Sequence, residues 1–219
     1  IGNSINSEIT GNEIIGTIGY AINLGTTNSV VSNNLIRNGQ GTAVQLSGSE
    51  LSFINNIIQD HSGNGISLNA SNSTIYGNRV IGIDHGYGLE INSSNNSIYN
   101  NYINIFGDLS YDGIRINSGG ASSQVIFNTI KVENSNLESN AIFINSASDI
   151  LIKNNVFYNE GGGYSIYSND SSLDKDNNNF FSTSEVWGYY NGLQYDDFAL
   201  WLNDTEGDEN SFNVNPYLI

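Results

Sequence analysis

The sequence predicts an all-β fold: one chain wound into a parallel solenoid of about eight coils, closed by a C-terminal cap. Three observations predict it. One short motif recurs eight times along 219 residues. Apolar and polar residues alternate inside each repeat, the period-two signature of strands. Asparagine and glycine punctuate the repeats, with 38 Asn and 24 Gly against one Pro, no Cys and no Met.

The first motif centres on Asn12, Asn34, Asn56, Asn78, Asn101, Asn128, Asn155 and Asn179. Three residues before most of them stands an apolar residue, as in Ile9, Val31, Phe53 and Ile75. Two residues after stands another, as in Ile14, Ile36, Ile58 and Phe181. The spacings are 22, 22, 22, 23, 27, 27 and 24. A second motif, apolar–any–apolar after a small residue, runs from Gly19-Tyr-Ala-Ile22-Asn-Leu24 to Gly163-Tyr-Ser-Ile166-Tyr-Ser168.

Each unit therefore holds about three short strands. Twenty-two residues cannot bury a core alone, but they suffice for one coil whose strands pair in parallel with the next. The apolar positions then stack inward. The asparagines form ladders of side-chain amides at the turns, satisfying polar groups that the turns half bury. No unit carries ten residues of helical periodicity. The coils are expected over residues 1–182 and the cap over 183–219.

These units resemble the right-handed parallel β-helix family, the pectin-lyase-like fold, over roughly residues 5–181. The resemblance implies a rod that hosts lyases, hydrolases, epimerases, tailspikes, adhesins or passive stalks.

The tail after Asn179 is rich in aromatic residues. Asp196 is expected to cap a short helix carrying Phe198, Leu200, Trp201 and Leu202. The segment reads first as a lid over the last coil, because an open solenoid end exposes core and strand edges. Trp187, Tyr189 and Tyr190 offer a second reading, as a carbohydrate platform.

Composition narrows the function. Charged residues are 13%, with Lys+Arg 6 against Asp+Glu 22 and a net charge of −16. Six scattered cations cannot build a nucleic-acid surface. No apolar run is long enough to span a bilayer. The start at Ile1-Gly2-Asn3 is no signal peptide: either processing has removed one or this is a piece of a longer chain, and attachment to further domains is expected. Abundant Asn, Ser and Gly with few Lys suits a secreted or cell-surface location.

Candidate chemistry lies in three places. The two histidines fall in successive coils, in Asp60-His61 and Asp84-His85, and are expected close together on one turn. The next coil adds Tyr111 and Arg115. Carboxylate, imidazole, phenol and guanidinium suit proton abstraction beside a uronic carboxylate. The resemblance implies the Asp/His/Tyr sites of uronan lyases and epimerases, although the Asp-Pro-His core of the epimerase motif is absent. Asp108 and Asp112, with Glu90, are the acids that could hold Ca²⁺; no other cofactor is indicated.

The outward position of the second motif reads Asn23, Gln45, Ser67, Glu90, Arg115, Phe143, Tyr167. It holds one carboxylate, which does not supply a hydrolase pair. Glu90 and Arg115 read as a cross-strand ion pair. Phe143 and Tyr167 are placed to pair with each other or to stack on a sugar. The longer loops at 104–112 and 133–140 could wall a groove.

The first functional expectation is a non-catalytic extracellular domain: a rigid spacer, an adhesin or a surface contacting a polysaccharide or cell-surface glycan. The alternative is a lyase or uronan epimerase acting on acidic glycans, which the charge of −16 would repel unless calcium bridges the two.

Overall fold

The computed structural model describes residues 4–169 and 172–218. Three sheets run the length of the molecule, and each coil adds one strand to each. A typical coil is Ile66–Ser71, Thr74–Tyr76 and Arg79–Ile83. Its strands pair in parallel with those of the next coil, Leu89–Ile91, Ser97–Tyr99 and Tyr102–Ile105. Among the described residues the first sheet has ten strands and the other two have eight each. The all-β solenoid of about eight turns is therefore as expected.

Register follows from what must be buried. Ile66 aligns with Val44 and Leu89, and Ile75 with Phe53 and Ile98. All six are at most 1% exposed. Stacking like residues in one column lets each coil bury the apolar surface that its neighbour cannot bury alone.

The asparagine ladder fills the turn from the second sheet to the third. Asn101 is typical: its backbone N–H donates to Asn128 Oδ1, and its amide donates to Ile75 O, Tyr99 O and Asn128 Oδ1. The ladder runs unbroken from Asn12 through Asn155. Its next member is Asn178, not the expected Asn179, and Ser211 closes it. Asn179 is one step further on, aligned with Val156, and Phe180 rather than Phe181 points inward against Phe157. Three consecutive asparagines and two phenylalanines hid that one-residue difference; the buried ladder resolves it.

The residue before each ladder asparagine has a left-handed backbone. It is Gly11, Asn33, Asn55, Gly77, Asn100, Phe127, Asn154 and Asn177. Glycine and asparagine tolerate this conformation; for other residues it costs about 1–2 kcal/mol. Phe127 is the exception in the column.

The last coil ends differently. Gly188–Tyr190 continues the first sheet in parallel, and Leu193–Tyr195 then pairs with it antiparallel. Helix α1, Phe198–Asp204, follows. Asp197, not Asp196, caps it, accepting from Ala199 N at 2.7 Å. The fully buried Trp201 lies 3.6 Å from where a side chain on Gly188 would begin, so its ring takes the space that inward residues fill in other coils. Leu200 and Leu202 are exposed.

Lys175 occupies an inward position, aligned with Ile152, and is buried. Its ammonium donates to Glu206 O at 2.8 Å and lies 3.6 Å from the buried Asp208 carboxylate. Asp208 also accepts from Trp201 Nε1 and Ser211 Oγ. Burial pushes the Lys175 amine down and the Asp208 carboxyl up, each against the attraction of the other. This cluster bolts the C-terminal segment to the end of the core.

Candidate functional site

The outward row of the first sheet is paired in register from Asn23 to Tyr189. Its chemistry changes halfway. Phe143 stacks on Tyr167 with centroids 4.6 Å apart, and Tyr167 on Tyr189 at 4.3 Å. Register alone produces this stack, because parallel strands repeat about every 4.8 Å. The Arg115 guanidinium ends the row, 4.3 Å from the Phe143 ring and 5.0 Å from the Tyr87 ring. Tyr87 meets Tyr111 edge-on at 5.4 Å.

Asp112 holds the guanidinium in place. One of its oxygens accepts from Arg115 Nη1 at 3.0 Å. The other accepts from the Asn140 backbone N–H at 3.0 Å and its amide at 2.7 Å. Burial pushes the Asp112 carboxyl up, against the Asn140 hydrogen bonds and the Arg115 charge. Burial likewise pushes the Tyr87 phenol up, with Arg115 opposing. Arg115 Nε donates to Asn117 at 3.2 Å.

Beside the row lies a groove of about 340 Å³ lined by Ser110, Asp112, Arg115, Leu137, Glu138, Asn140, Phe143, Tyr164 and Tyr167. Ser110, Leu137 and Glu138 come from the two long loops, which therefore do wall a groove.

The structure separates the residues expected to act together. Tyr111, Asp112 and Arg115 belong to the groove cluster. Asp60, His61 and Asp84 border a separate depression at the end of the third sheet. His61 is 1% exposed and inward-facing, aligned with Ile83 and packed over Gly39, where a Cβ would lie 2.1 Å from its ring. Burial pushes its pKa down, against the Gly41 backbone and the Asp60 charge. His85 stands outside, with Nδ1 3.0 Å from Asp84 Oδ2. The two histidines thus occupy a core and a surface environment, because the coil places them at positions of opposite facing.

Two further expectations change. Glu90 is not the ion-pair partner of Arg115; it accepts from Asn64, Asn117 and Ser67, while Asp112, three residues back, takes the guanidinium. Trp187 is 3% exposed and packs against Phe198 and Trp201, so it presents no face to a sugar, and Tyr190 is buried with it. Asp112 has both oxygens engaged within the chain, by Arg115 and Asn140, while Asp108 is exposed. Among the described residues no group of three or more acids or histidines is arranged to hold a metal.

Tyr87 and Tyr164 belong to the site but were not singled out from sequence. Tyr164 leans on Tyr167 and Tyr189, and its hydroxyl accepts from Gln194 at 2.7 Å. The signal existed: both follow the glycine of the second motif, in Gly86-Tyr87 and Gly163-Tyr164.

A family model described as "Right handed beta helix region" matches residues 1–140. The chain belongs to this right-handed β-helix family. No curated protein matches it. No helix among the described residues is long and apolar enough to cross a membrane.

Proposed function

We propose that the chain is a non-catalytic, glycan-contacting β-helix domain of a larger secreted or cell-surface protein. The observation that carries this reading is the groove beside Arg115, Phe143, Tyr167 and Tyr189. Both faces of Phe143 and of Tyr167 are taken up, by the guanidinium, by each other and by Tyr189. Contact is therefore through ring edges, phenol hydroxyls and the open edge of Arg115. Rigid β-sheet register holds these groups in place, so binding orders few side chains. His61 is buried and borders a different depression, which favours binding over proton transfer. The test is a glycan array probed with the wild-type chain and with Arg115→Ala and Tyr167→Ala. Each variant is expected to bind about ten-fold more weakly. Unchanged binding, or none by wild type, defeats the reading.

One observation favours the second reading, a lyase or epimerase: phenols, a carboxylate and a guanidinium share one cluster at Tyr87, Tyr111, Asp112 and Arg115. Alginate, pectate and hyaluronan, each with and without calcium, test it. Absorbance of an unsaturated product would replace the binding reading with lyase action.

A further inference from the structure

Phe127 breaks a rule that the other seven turns of its column keep. Its backbone is left-handed, at φ 57°, where every other coil uses asparagine or glycine. Its N–H donates to Lys153 O, just as Asn100 donates to Ile126 O, so the turn itself does not require a phenylalanine. Its side chain is not held in the core either, being 58% exposed. Among the described residues no other ring packs on it, unlike every ring in the first-sheet stack. A strained, exposed aromatic residue weakens the fold, and such exceptions concentrate at sites of function.

Its surroundings point to a ligand class. Phe127 borders a depression of about 230 Å³ with Ser97, Tyr99, Gln124 and Ile126, on the outward face of the second sheet. This is smaller than the roughly 300–1,000 Å³ of sites for drug-sized ligands. It combines a free aromatic face with the exposed amide of Gln124 and the hydroxyl of Ser97. No charged side chain lines it. Lys153, the next residue in the outward row after Ile126, is paired with Asp174 at 2.8 Å.

We infer that Phe127 and its neighbours Tyr99, Gln124 and Ser97 form a second site that takes a neutral pyranose ring. The ring face packs on the phenyl group, and the amide and hydroxyl bond to sugar hydroxyls. The inference rests on the reading of the chain as glycan-contacting, but it uses a different sheet and an uncharged sugar.

The test is titration of neutral glucose and N-acetylglucosamine oligosaccharides into the wild-type chain, Phe127→Asn and Tyr167→Ala. Phe127→Asn restores the residue of the neighbouring turns. It is expected to weaken binding about ten-fold while raising Tm by about 2–4 °C. A greater loss in Phe127→Asn than in Tyr167→Ala assigns the neutral sugar to this site; an equal or greater loss in Tyr167→Ala assigns it to the first-sheet row and overturns the inference. If Phe127→Asn binds like wild type and Tyr167→Ala does not, the first-sheet reading stands and this inference falls. If no neutral sugar binds wild type, the inference falls, while charged glycans on the array still judge the first-sheet row. A Tm that does not rise removes the strain on which the inference stands.

Discussion

The two halves of the rod agree at one of the three turns of a coil and differ at the other two, most at the turn from the third sheet to the first. From the second sheet to the third, five residues separate the inward positions in both halves, as in Phe53 to Ile58 and Val125 to Ile130. From the third sheet to the first, the step is eight residues from Ile58 to Ile66 but twelve from Ile130 to Ile142. The difference has a physical cause. An extra residue at the asparagine turn would carry a buried amide out of its column and leave its partners unsatisfied. The turn from the third sheet to the first has no continuous ladder, so its loops can lengthen and wall a groove. The outward row changes over the same span, from uncharged Asn23, Gln45 and Ser67 to Arg115, Phe143 and Tyr167.

If this division of labour is right, Asn101→Ala should cost most. It removes one ladder member and strands several buried groups, a loss of about 4 kcal/mol by urea unfolding. A loss under about 1 kcal/mol would mean that the ladder does not hold the two halves in common register. Lys175→Met should come next, at about 3 kcal/mol, because it leaves Asp208 buried without its cation. Adding Asp208→Asn should recover part of that loss in the same assay; no recovery would break the account of the cap.

A pH series sharpens the comparison at His61, in the regular half. Its folded pKa lies below the ordinary 6.5, so the folded chain resists the proton that the unfolded chain accepts. Its contribution is fully present above about pH 6.5 and is lost as the pH falls through the folded value. His61→Leu should therefore lose less stability than wild type on acidification below 6.5, measured by Tm. Parallel curves would show that the imidazole stays neutral in both states or charged in both. The smallest effect belongs to the loop wall. Leu137 is 70% exposed, and Leu137→Ser should change stability by no more than about 0.5 kcal/mol. A larger loss would show that the long loop is part of the core.

Much of the fold is readable in the sequence, because its signals repeat. Eight asparagines in one local pattern and alternating apolar residues specify strands, coils and stacking together. Single events were harder. Asn178 and Asn179 are indistinguishable by local pattern, as are Asp196 and Asp197 as caps. The groove was half readable: its loops showed as longer spacings and its aromatic row as outward positions. The clamp of Asp112 on Arg115 was not, because Glu90 is the direct cross-strand neighbour and Asp112 reaches the guanidinium from a loop.

Sequence alone determined the parallel solenoid, its inward columns, its asparagine ladder and the identity of its outward row. These follow from period and residue type, which repetition reinforces. Tertiary structure alone decided that His61 is core and His85 is surface, and that Trp187 is a plug rather than a platform. It also decided that Phe143 and Tyr167 present edges instead of faces. Those outcomes depend on which neighbour fills each space, as Gly39 makes room for His61 and Gly188 for Trp201, and a linear pattern does not record the far side of a contact.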